Sequence, residues 1–257
     1  MTAPHAAITT SWDDGHPLDL RVATMLVEHG LAGTFYVPRQ WARPTMPDAQ
    51  LRELVDAGFE LGGHTIDHVV LTDTPDDEAA AQIKDSRTWL TDVAGRDCTM
   101  FCPPTGRFNA HHAAMIAQAG YTGFRTVELW STDTPRPYTN GLLEMPTSLQ
   151  AQPHGRLPVL RNIAKRRSAA NLMRFYRLGR SGDWLMQLER LATHVEAHGG
   201  VLHLWGHSWE IDEFKQWDRL DEAFAMLGSL TDRIPAHTNG ELCRLYSSDS
   251  SHSPEVA

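Results

Sequence analysis

Short apolar runs alternate along the chain with longer stretches in which apolar positions recur every three or four residues. The runs at 6–12 (AAITTSW), 31–38 (LAGTFYVP), 59–65 (FELGGHT), 98–102 (CTMFC), 121–129 (YTGFRTVEL) and 201–207 (VLHLWGH) read as strands. Between them lie amphipathic segments. Residues 18–30 put Val22, Met25 and Leu26 on one helical face and stop at Gly30. Residues 48–58 start on Asp48, a good N-cap, and end on Gly58. Residues 75–95 open on acids that suit a helix amino terminus, and 109–120 run from Asn109 to Gly120. Helices are also expected at 183–200 and 217–230, and a last strand at 241–247 (ELCRLYS). Residues 130–181 carry several prolines and show no clear period.

Repeated strand–helix units imply parallel strands joined by right-handed crossovers. The number of units predicts a closed or nearly closed α/β barrel, one domain over residues 1–246, with a polar, disordered tail at 247–257. In a barrel the functional groups gather where strands end. Asp13 and Asp14, His64 and His68, the PPTG turn at 103–106 and His207 all fall at such ends.

Of the 257 residues, 41% are hydrophobic and 21% charged, the balance of an ordinary soluble domain, and no stretch approaches the ~20 apolar residues of a membrane span. A net charge of −9 argues against nucleic acid as a partner. That charge is uneven. Residues 155–182 hold eight Lys or Arg and no acid, so the remainder sums to −17 (−9 minus 8). The plain reading is a solvated basic helix face; the sharper one is a docking patch for a phosphate-bearing substrate or an anionic membrane surface. Three cysteines without dense spacing fit reduced thiols. Residues 1–10 lack the basic start and long apolar run of a signal peptide, which predicts a cytoplasmic protein.

His64 and His68 stand four apart in GGHTIDH, so a helical turn there would let both imidazoles hold one ion. The spacing alone is weak, and Thr65 occupies the place of the glutamate in the HExxH metalloproteases. The adjacent acids of TTSWDDG strengthen it. Two histidines and one aspartate make a three-ligand set that leaves a position open for water. The second carboxylate is then free to act as general base, and the two neighbouring acids do not compete.

TTSWDDG, GGHTIDH, FCPPTGRFN and VLHLWGHSW resemble the ordered motifs of the polysaccharide deacetylases, carbohydrate esterase family four (the NodB homology domain). The resemblance runs from about Ile8 to Tyr246. It implies a distorted (β/α)7 barrel and metal-dependent removal of an acyl group from a sugar. By position it makes Asp13 the general base and Asp14, His64 and His68 the ligands of one divalent metal, zinc first, with cobalt, manganese or nickel as alternatives.

The chain departs from the pattern in three places. Cys102 stands where the third motif has an arginine that orients the base, leaving Arg107 or Arg125 to supply a guanidinium. The aspartate–tryptophan element has no clean counterpart, although Trp130 and Asp133 lie in LWSTD. For the histidine that protonates the leaving amine, HLWGH offers His203 and His207, and the strand-end position favours His207. Trp209 is placed to stack on a sugar face or to pack at the barrel rim, and His154 is a further substrate-side candidate.

The expected substrate is an N-acetylated amino sugar on an intracellular nucleotide- or lipid-linked carrier. Alternatives are a non-sugar cyclic imide or ureide, as in relatives with altered third motifs, and a non-catalytic carbohydrate-binding barrel.

Overall fold

β1 (Ala6–Asp13) is buried along its whole length apart from its first residue, as a parallel strand covered on both faces must be. The computed structural model describes residues 5–250, and side chains as far as 247. After β1 come α1 (Asp19–Glu28), β2 (Thr34–Val37), α2 (Asp48–Asp56), β3 (Glu60–Gly63), α3 (Asp76–Ala94), β4 (Met100–Phe101), α4 (Ala110–Gln118) and β5 (Gly123–Arg125). These follow the apolar periodicity closely. The proline-bearing middle contains an antiparallel hairpin, β6 (Arg136–Thr139) and β7 (Leu142–Met145), turning on Asn140 and Gly141, both at positive φ. β8 (Leu149–Gln150), α5 (Arg156–Arg166), α6 (Ala169–Leu178) and α7 (Trp184–His198) lead to β9 (Gly200–Gly206). Then come α8 (Ser208–Glu213), α9 (Trp217–Gly228) and α10 (Asn239–Ser250).

The strands form one sheet in the order β6-β7-β5-β4-β3-β2-β1-β9-β8. β7 pairs with β5 near one edge and β8 with β9 at the other, both in parallel. β7 and β8 are separated only by residues 146–148, so one stretch of chain touches both sides. That stretch closes a ring of seven staves. It is pinched at Pro146, which has no N–H to give a ladder. The pairing resumes at once, with Ser148 N–H donating to the His203 carbonyl at 3.0 Å. The fold is thus the distorted (β/α)7 barrel, with the hairpin replacing one crossover helix.

One core lies between the sheet and its helices; a smaller one fills the barrel where the strands begin. α10 plugs that end. Its Leu242 and Cys243 pack with Ala7, Tyr36, Met100 and Val201, and Gly240 N–H donates to Glu60 at the head of β3 at 2.9 Å. The strand expected at 241–247 is therefore a helix. Leu242, Cys243 and Leu245 are buried and Tyr246 half-buried, a set that fits helical spacing as readily as a short apolar run. Residues 247–250 belong to this helix instead of to the expected tail; 251–257 lie outside the described residues.

Candidate active site

Just past β1 the chain turns on two successive left-handed residues, Asp14 at φ 78° and Gly15 at φ 59°. A Cβ on residue 15 would sit 2.6 Å from the Val37 side chain, so only glycine fits both the conformation and the space. The turn sends the neighbouring carboxylates to different partners. Asp13 accepts a hydrogen bond from Arg125 Nη2, and Cys102 Sγ lies 4.0 Å from its other oxygen. Asp14 Oδ1 lies 3.1 Å from His68 Nε2 and 3.5 Å from His64 Nε2.

His64 and His68 meet without the helical turn the spacing suggested. Residues 64–68 form an irregular loop after β3, with Thr65 and His68 at positive φ. Such strain in side-chain-bearing residues is typical of sites held in place by their surroundings. His64 Nδ1 donates to the Cys102 carbonyl at 2.6 Å, which leaves the Nε2 lone pair facing Asp14. The ligand atoms of Asp14, His64 and His68 lie within 4.8 Å of one another. Two imidazoles, one with its tautomer set by a carbonyl, and one carboxylate fit a divalent cation of the zinc type. Asp13, His64 and Cys102 also cluster within that span, but Asp13 is already paired with Arg125. Burial would raise the Asp14 pKa, yet bonds to His64 and His68 and the nearby His207 hold it well below the usual carboxylate range.

His207 faces the same space from the end of β9. Its Nε2 lies 3.9 Å from Asp13 Oδ2 and 3.8 Å from Asp14 Oδ2, while Nδ1 is 2.5 Å from Glu210 Oε2. Gln150 Nε2 donates to that Glu210 oxygen at 2.9 Å, and His154 Nε2 lies 2.8 Å from Gln150 Oε1. Burial pulls the His207 pKa down, but the Glu210 hydrogen bond and the two aspartates outweigh it and raise it. These groups floor a cavity of about 440 Å³ walled by Trp41, Trp205, Trp209, Val159 and Leu129. Trp209 Nε1 donates to Asp14 Oδ2 at 2.9 Å, and Trp41 packs against His68 with ring centroids 4.7 Å apart.

Arg125, at the end of β5, is fully buried and supplies the guanidinium missing at Cys102, so it meets Asp13 and does not line the cavity. Arg107 does not reach the site. It forms a two-pronged pair with Asp73, both contacts 2.7 Å, on the exposed surface. His203 is buried beneath the cavity between Ser11 Oγ and the Pro146 carbonyl. Burial and the Arg125 charge lower its pKa to about 3, which keeps it neutral, and it is not among the residues that line the cavity. Trp130 is buried against Phe175, and Asp133 pairs with Arg136. His112 is buried and caps its own helix together with Asn109.

Trp41 and Gln150 went unpredicted. Trp41 follows the end of β2, so the strand-end rule pointed to its loop; Gln150 sits in a two-residue strand that no periodicity reveals.

The sequence profile described as polysaccharide deacetylase matches residues 1–124, which include β1 through β5 as far as Phe124. Just under half of the chain thus matches the polysaccharide deacetylase profile. The Bacillus subtilis (strain 168) protein YxkH, named for this family, is 21% identical over 117 residues, 44% of this chain and 42% of that relative. The match thus spans less than half of YxkH. Among solved structures, a Mycobacterium smegmatis protein named for the family superposes with a TM-score of 0.68 at 17% identity, covering 100% of this chain and 97% of that one. The chitin deacetylase of Colletotrichum lindemuthianum gives 0.58 at 13% identity, covering 95% and 90%. The peptidoglycan deacetylase PdaC of Bacillus subtilis gives 0.54 at 16% identity, covering 96% and 94%. At these identities the likeness establishes the barrel shared with the family.

Proposed function

We propose that this protein hydrolyses the N-acetyl group of an amino sugar, releasing acetate and a free amine. The observation that carries the reading is the division of the adjacent acids, Asp14 among imidazoles and Asp13 between Arg125 and His207. Asp14, His64 and His68 would hold a divalent metal, which when bound supplies Lewis acidity and a more acidic water.

The chain's own groups then have distinct tasks. Asp13, oriented by Arg125, takes the proton of the attacking water as general base. In the turn at 103–106, Pro103 and Pro104 lack an N–H and the Gly106 N–H is committed to the Pro103 carbonyl at 2.9 Å. Thr105, which lines the cavity, is therefore the residue of that turn whose N–H would steady the oxyanion. His207, positioned by Glu210, gives its proton to the departing nitrogen. Trp41 and Trp209 offer apolar faces for a pyranose ring.

For the substrate we favour a nucleotide- or lipid-linked saccharide inside the cell. The chitin and peptidoglycan deacetylases of the same fold support acetylated sugars as the class. The three free, buried cysteines accord with a reducing compartment. The test is acetate release from UDP-linked and lipid-linked N-acetyl sugars, with and without chelator, for the wild type and Asp13→Asn. Chelator-sensitive release that falls by about 10²–10⁴-fold in D13N, with metal content unchanged, is expected. Full activity in D13N would sink the assignment of the base, and release from a cyclic imide alone would replace the substrate class.

A further inference from the structure

The helical hairpin between β8 and β9 presents a surface that hydrolysis does not require. α5 and α6 pack on each other and bury Val159, Ile163, Asn171 and Phe175. Their outer positions are mixed in character. Leu157, Leu172, Met173 and Tyr176 are 68%, 48%, 51% and 70% exposed, at helical spacing on faces opposite the buried residues. Arg161, Lys165, Arg167, Arg177 and Arg180 are exposed among them, and no ion pair engages these five among the described residues. Arg174 differs: it turns inward to the Trp130 carbonyl and Asn171. The whole stretch 155–182 carries eight cations and no acid, in a chain otherwise at −17.

Three occupants of such a face make different demands. Water accounts for the cations but not for large apolar side chains left half to two-thirds exposed. A soluble polyanion likewise uses only the charge. An anionic bilayer surface uses both, drawing the cations to its headgroups and taking the apolar side chains into the acyl boundary. We propose that the α5–α6 hairpin docks on membranes rich in anionic phospholipid. The cavity lies beside it, because Pro158, Val159 and Asn162 of α5 form part of its wall, and Asn162 pins the helix to Val127 and Leu129 at 2.8 and 3.0 Å. Docking would hold the cavity beside the headgroups, within reach of a lipid-linked saccharide; that last step alone rests on the hydrolytic reading.

Sedimentation with vesicles tests the proposal without any turnover, so its failure leaves the deacetylase reading untouched, and the reverse. The wild type should bind phosphatidylglycerol–phosphatidylcholine vesicles and not pure phosphatidylcholine, with binding weakened by salt. The triple variant Arg161→Gln, Lys165→Gln, Arg167→Gln should lose about a hundredfold in partition, about fivefold per side chain. Met173→Ser with Tyr176→Ser should weaken vesicle binding without affecting retention on heparin. Thermal unfolding checks each variant, and Tyr176→Ser alone replaces the pair if the pair unfolds early. Equal partition onto neutral and anionic vesicles, or no binding to either, overturns the proposal. So does vesicle binding that survives loss of Met173 and Tyr176, which would mark a polyanion site instead.

Discussion

At the scale of single residues, the site separates like charges by giving each its own counter-charge. Asp13 and Asp14 are adjacent in sequence, yet one carboxylate meets a guanidinium and the other meets imidazoles. His207 touches both territories, and its protonation follows from Glu210. Its pKa is raised, so the protonated form persists up to that pKa and is lost as pH rises through it. If His207 is the acid, kcat/KM should fall on the alkaline side. Glu210→Gln removes one support of the charged form, and the alkaline limb should move to lower pH in a pH–rate profile. An unmoved limb would assign that limb to another group. The residues of DDG and HxxxH were legible in the sequence because each motif is local and its chemistry is complete within a few positions. Arg125 was legible only as one of two candidates. Its partner lies 112 positions away, and the linear motif order pointed to position 102, where a cysteine stands.

Among the secondary-structure elements, strands and helices of the first half followed from apolar periodicity, since each is long enough to express its period. The middle did not. β8 has two residues and β7 four, too few for alternation to register, and their meaning lies in pairing with two different neighbours. α10 was misread for a related reason, because its buried set fits either period until the barrel end it fills is known. Leu242 is fully buried in that plug and does not line the candidate active-site cavity. Leu242→Ala should therefore cost about 2–5 kcal/mol in denaturant unfolding while leaving kcat nearly unchanged. A matching loss of kcat would mean that the two ends of the barrel are coupled.

For the whole molecule, the placement of functional groups at strand ends was the most transferable inference, since it depends on architecture alone. It pointed to Asp13, Asp14, His64, His68 and His207, which line one cavity, and it extends to the Trp41 loop. It also favoured His207, just past the end of β9, over His203, which lies fully buried within that strand. Metal binding should also be visible in global stability. Saturation at about a hundredfold over Kd adds about 2.7 kcal/mol, or roughly 5–10 °C in Tm for a chain of this size. Chelation should remove that increment from the wild type and leave Asp14→Asn unaffected in differential scanning calorimetry. Equal shifts in both would locate the ion elsewhere.

The pair between Asp13 and Arg125 joins β1 to β5, strands separated in the sheet by β2, β3 and β4. It therefore runs across the lumen like a spoke in a wheel, tying opposite rims together at the mouth. Removing one end strands a buried charge, so Arg125→Met should lower unfolding free energy by about 3–5 kcal/mol along with activity, and the double change with Asp13→Asn should recover stability without recovering turnover. The bond that orients Asp13 is also a brace of the scaffold, so drift at this position would disturb the site and the barrel at once.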